Sequence, residues 1–233
     1  MYSDLNMRST RQGTQLHADD RTTRARIRDT AIECYAAHGV AETTVRKIAA
    51  AAEVSPGLVI HHFGSMEGLR STCDEHVASV IRDRKDEAMS AGPGLDLLSS
   101  LRNAGYGPLV GYLAQVLTDD SPAVAKLVDD LVADAEIYLH HGVASGMLRP
   151  TDDPRGRAAV VALWSLGALV LHHHLDRILG VDITSPDAAS EPAFLGYIRP
   201  AMEVMGTGMF TDAFAAQVQG SLAPHDEDEE GQR

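Results

Sequence analysis

Apolar residues recur along this chain at spacings of three and four, with almost no period-two alternation, so the pattern predicts an all-α protein. Ile27, Ala31, Cys34 and Tyr35 form one stripe and predict a first helix from about Arg21 to His38, with Gly39 as a natural stop. A short second helix starts near Thr43–Thr44, where a hydroxyl can cap free N–H groups, and carries Val45, Ile48, Ala49 and Ala52 on one face. Glu53-Val54-Ser55 reads as a turn. Ser55-Pro56 then pairs a capping residue with proline at the first helical position, opening a brief third helix that ends near His62 or Phe63. Gly64-Ser65 breaks the chain again, and Ser65 caps a long fourth helix reaching about Ala88.

Ser90-Ala91-Gly92-Pro93-Gly94 is a linker by composition. Beyond it the pattern predicts helices at about 96–118, 121–145, 154–180 and 191–206, the first interrupted near Gly105-Tyr106-Gly107-Pro108. The expected organisation is a polar, disordered arm over 1–20, a helix-turn-helix domain at 21–64, a helical domain at 65–220 and an acidic tail at 221–233.

Composition adds limits. Hydrophobic residues make up 44% of the 233 positions, as in ordinary globular chains. No apolar run approaches the ~20 residues of a membrane span. The longest, Ala158 to Leu171, runs into His172, His173, His174 and Asp176 and reads as a buried helix, so no membrane partner is expected. The first twenty residues lack the apolar segment of a signal peptide. Two cysteines in helical patterns argue against a structural disulfide and for a reducing cytoplasm.

The net charge of −13 argues against a nucleic-acid partner until its distribution is considered. Residues 1–90 hold 12 Lys+Arg and 13 Asp+Glu, whereas residues 91–233 hold 8 and 20. Over residues 8–50 basic side chains outnumber acidic ones, 8 to 5. DNA affinity follows local phosphate neutralisation, so the local sign outweighs the total.

The decisive segment is Thr43 to Phe63, TTVRKIAAAAEVSPGLVIHHF. Two short helices joined by a three-residue turn can place the second in a major groove. Ala49 supplies the small residue where such helices cross, Val54 the apolar plug at the turn, and Val59 with Phe63 an inner anchoring face at i, i+4. Pro56, Gly57, Leu58, Ile60, His61 and His62 are left on the outer face. The T-T-V-R-x-I-A run at Thr43–Ala49, V-S-x-G at Val54–Gly57, H-H-F at His61–Phe63, and Ser65 with Leu69 together resemble the TetR family of regulators. The resemblance covers Ile27 to about Leu69.

The resemblance implies roles. Arg46 matches a position that reads a base, where a guanidinium can fork onto guanine O6 and N7. Thr44 matches a phosphate-contacting cap, and Pro56, Gly57, Leu58, Ile60 and His62 match groove-facing positions. Two departures stand out: the family's usual tyrosine is replaced by Ile60 and its usual lysine by Met66. Leu58 and Ile60 then suggest contact with thymine methyls, and backbone N–H groups opening the fourth helix remain for a phosphate beside Met66. Arg8, Arg11, Arg21, Arg24, Arg26 and Arg28 are candidates to restore the missing charge, against the plain alternative of a solvated surface.

For the remaining helices the family implies a small-molecule effector site and a homodimer built by the last two long helices. The stripe Ala158, Ala162, Ser165, Ala168 and Leu169 would allow close packing, and Met202, Met205 and Met209 are adaptable fillers. Candidate effector contacts are Trp164, Tyr106, Tyr112, Tyr138 and His172, apolar bodies with a polar end, though each alone is more often a core or surface residue. Adjacent histidines point about 100° apart on a helix, so His172-His173-His174 cannot share one metal, and no metal or cofactor is expected. The expected function is a ligand-responsive, DNA-binding transcriptional regulator, a repressor acting as a homodimer on a palindromic operator, and not an enzyme. The competing reading is a small-molecule-binding or enzymatic helical protein that uses the histidines. No nucleophile–base pair, phosphate loop or zinc spacing favours it.

Overall fold

The computed structural model describes residues 3–96, 99, 107–185, 187–209 and 211–222. Its elements are helices α1 (Ser3–Glu42), α2 (Val45–Ala51), α3 (Pro56–Phe63), α4 (Met66–Ser90), α5 (Gly107–Val116), α6 (Pro122–Ala144), α7 (Pro154–Val170), α8 (His172–Leu179), α9 (Phe194–Gly206) and α10 (Asp212–Leu222). Short 3-10 turns lie at Gly92–Gly94 and Ala188–Ser190. The all-α expectation holds, since the described residues contain no strand.

Local chemistry explains the boundaries. Gly39, at φ +75°, interrupts α1 where the stop was expected, in a left-handed conformation that side chains with a Cβ resist. The Thr43 hydroxyl closes that corner by donating to the Gly39 carbonyl at 2.7 Å. Thr44, Ser55 and Ser65 each cap the following helix, their hydroxyls accepting from Lys47 N, Leu58 N and Gly68 N at 3.3, 3.1 and 3.0 Å. Asp153 does the same for α7, accepting from Gly156 N at 2.8 Å.

One core runs through α1 to α6, built on Ile27, Tyr35, Ile48, Val59, Leu69, Cys73, Val77, Tyr112, Val116 and Leu127. α4 packs most broadly on α6, and α1 on α5. A second, smaller cluster of Ala135, Leu139, Ala158 and Ala162 joins α6 to α7.

Three expectations need correcting. The first helix starts at Ser3 rather than Arg21. The helix expected over 154–180 is two, α7 and α8, bent by 74° at Leu171. Ala158 and Ala162 do not face outward: Ala162 is 6% exposed and packs inside the chain against α6. Small residues let two helix axes approach, and here α6 takes that place. The interruption expected near 105–108 falls largely outside the described residues, which resume at Gly107. Among those residues no single helix is long and apolar enough to cross a membrane.

Candidate nucleic-acid interface and helical ligand domain

The reading head is built on a buried floor. Ile48 and Ala49 of α2, Ala52 just after it, and Val59 and Phe63 of α3 are buried, with Val54 packed against them at the turn, each in the role its position suggested. Val54 N donates to Ala49 O at 2.9 Å, which tightens the turn. Glu53 holds this corner at φ +55°, a left-handed conformation that a side chain with a Cβ adopts at a cost.

With that floor in place, the other faces of α2 and α3 point outward together. Thr44, Arg46, Pro56, Gly57, Ile60 and His61 are exposed, and Leu58 and His62 are half-buried. Met66 turns inward and packs against the core, which explains why an apolar side chain suits that position. Arg24 lies 5.0 Å over the Phe63 ring and reaches toward the Thr72 hydroxyl at 3.5 Å, bracing the back of α3. Arg28 is held by Asp29 at 2.7 Å. Lys47, which the motif alone did not single out, is exposed beside Arg46 and donates to the Glu42 carbonyl at 2.7 Å. It would have been found by asking which cations lie on the outer face of α2.

Among the described residues the candidate effector contacts do not converge. Tyr106 lies outside the described residues. Tyr112 is wholly buried, its hydroxyl donating to Asp74 Oδ1 at 2.6 Å. Burial, then the Asp74 charge, raises the Tyr112 phenol well above its ordinary range and keeps it the donor. Tyr138 is half-buried against the small cluster between α6 and α7. Trp164 is 45% exposed on the outer side of α7, beside Val160 and Leu163. His172 sits at the start of α8 with its ring 3.8 Å from that of His173, and burial lowers its pKa. A cleft of about 100 Å³ lies elsewhere, between α6 and α7, lined by Glu136, His140, Thr151 and Arg157 among others. Among the described residues no cluster of three or more His, Cys, Asp or Glu could hold a metal.

α4 bridges the two parts. It runs unbroken from its Ser65 cap to Ser90, about 37 Å at 1.5 Å per residue. Its far half is fastened to α6 by Arg82–Asp134 at 3.3 Å, by the His141–Asp86 pair, and by the Ser145 hydroxyl donating to Met89 O at 2.6 Å.

A capped helix-turn-helix head on a helical body defines a DNA-binding transcriptional regulator, and the chain belongs to the TetR family. The model of "Bacterial regulatory proteins, tetR family" matches residues 27–72, and that of "Tetracyclin repressor-like, C-terminal domain" matches residues 104–211. The chain is similar to the HTH-type transcriptional regulatory protein RaaS of Mycobacterium tuberculosis (strain ATCC 25618 / H37Rv), 35% identical over 210 residues that cover 88% of this chain and 97% of the relative. Among solved structures it shares its fold with Salmonella enterica GusR, at a TM-score of 0.52 and 20% identity, over 78% of this chain and 94% of that one.

Proposed function

We propose that the protein is a ligand-responsive repressor that binds a palindromic operator as a homodimer in the cytoplasm and catalyses no reaction. The observation that carries this reading is the outward row of Arg46, Pro56, Gly57, Leu58, Ile60, His61 and His62, held over a buried floor by three helix caps. In it Arg46 reads a base, Thr44 and the N-terminus of α4 beside Met66 take phosphates, and Leu58 and Ile60 meet thymine methyls. Arg24, braced on Phe63, adds charge without sequence preference.

The homodimer is supported by a second apolar face on α7. Its inner side is used by α6, yet Val160, Leu163 and Trp164 are exposed at helical spacing, as are Met202 and Met205 of α9. Two such faces brought together would set two heads on neighbouring half-sites about one helical turn apart. Trp164 thereby moves from candidate effector contact to candidate interface residue.

An effector bound in the body releases DNA only if it prefers the conformation that does not bind. The unbroken α4, fastened to α6 at one end and carrying the head at the other, is the element suited to pass that preference on. Mobility shifts of genomic fragments, with and without a panel of small molecules, test the whole reading. A repressor of this kind shifts specific fragments and loses them with one class of compound. Failure to shift any fragment would overturn it. A Gly-Gly insertion beside Arg84 should leave compound binding intact while release from DNA is lost.

A further inference from the structure

We propose that the hydrogen bond between Tyr112 and Asp74 sets the angle of the reading head on the body, and with it the half-site spacing that the protein accepts. The inference rests on the two-headed reading above and names the residues that fix its geometry.

Tyr112 stands where α1, α4 and α5 meet. Its hydroxyl donates to Asp74 of α4 at 2.6 Å, and its ring meets the Tyr35 ring of α1 edge-on, with centroids 5.8 Å apart and planes at 65°. The rest of this junction is closely packed. A Cβ on Gly111 would come within 3.2 Å of the Ala36 methyl, so α5 lies close on α1 there, and one on Gly39 would come within 3.2 Å of the Gln115 side-chain oxygen. Apolar contact of this kind holds the helices together but is itself non-directional. A short O–H···O bond weakens steeply with distance and angle, so the buried pair adds a directional constraint on register to this close contact. One turn nearer the head, Arg70 of α4 reaches Asp119, beyond the end of α5, at 3.3 Å and guards the same joint. Burial raises the pKa of both partners, as expected for a polar pair in a dry junction.

The pair lies about 13 Å along α4 from the Ser65 cap, so a small tilt at the joint is magnified at the recognition helix. In a dimer the two tilts are symmetric and change the distance between heads. The test uses the full chain and a palindromic duplex that the wild-type protein selects from a random-sequence pool, remade with the centre lengthened or shortened by one and two base pairs. Wild type should lose about tenfold or more in affinity when the spacing is wrong. Tyr112→Phe should shrink that penalty to within about threefold while dimer mass and helix content stay unchanged. Asp74→Asn, which keeps an acceptor for the tyrosine, should restore the wild-type penalty. The double variant Tyr112→Phe/Asp74→Leu replaces both polar groups by apolar ones and should fold and show the relaxed spacing even where the single variant is unstable. A folded Tyr112→Phe or double variant with wild-type spacing discrimination overturns the proposal. So does relaxed spacing in Asp74→Asn. A wild-type protein that ignores spacing overturns the two-headed reading as well.

Discussion

The reading head and the helical body solve the same packing problem with different kinds of sequence. In the head each helix is started by its own residue: Thr44, Ser55 and Ser65 cap α2, α3 and α4, and Gly39 and Gly64 turn the chain between them at positive φ. In the body, among the described residues, Asp153 and Thr211 cap α7 and α10, whereas the Ser121 that opens α6 makes no capping bond, and the packing is decided between helices far apart in sequence. The head is specified locally and its outer face is free to vary with the DNA it reads. The body is specified by long-range contact.

The sharpest test of that difference uses two neighbouring residues of α7. Ala162→Glu puts a charge into the dry contact with Ala135 and Leu139 and should destabilise the fold by about 3 kcal/mol or more, seen in chemical denaturation. Leu163→Glu, on the exposed side, should leave helix content intact and give monomers by light scattering. If Leu163→Glu remains dimeric, the outer face of α7 is not the interface.

In the head, Arg46→Ala should weaken operator binding by about 1–3 kcal/mol and relax preference at a single base pair. Arg24→Ala should weaken all sequences alike and flatten the salt dependence. An Arg46→Ala protein with unchanged preference assigns the reading to α3 instead.

Much of the head was legible because its signals are adjacent in sequence. Ser55-Pro56 sets a capping residue beside proline at the first helical position, and Val59 and Phe63 repeat at an interval one helix can express. The body hid three things for physical reasons. Gly167 is the weak point between 154 and 180, but a lone glycine inside an apolar helical pattern does not announce the bend at Leu171. α7 is apolar on two sides, so a small-residue stripe suited an interface and Trp164 suited an effector contact, whereas the fold buries Ala158 and Ala162 and leaves Trp164 exposed. Tyr112 is a ligand-type residue by composition, but its partner Asp74 lies 38 positions away, a pairing only the fold brings about.

Smaller effects follow from local chemistry. Ser55→Ala and Ser65→Ala should each lower stability by about 1 kcal/mol through a lost cap, with Ser65→Ala also weakening DNA binding at the start of α4. Equal losses of DNA affinity in the two would mean that α4 offers no phosphate site. Smallest of all, Glu53→Gly should raise stability by about 0.5–1 kcal/mol, because glycine accepts the φ of +55° that glutamate holds under strain. A lowered melting temperature would mean that the glutamate side chain itself holds the turn.

Selection of binding sites from a random pool of duplexes tests the central claim most directly. The wild-type protein should enrich a two-fold symmetric sequence bound by one dimer, and Arg46→Ala should enrich the same sequence with one position per half-site made degenerate. A pool that stays random after repeated rounds, or an enriched site without two-fold symmetry, would contradict the account.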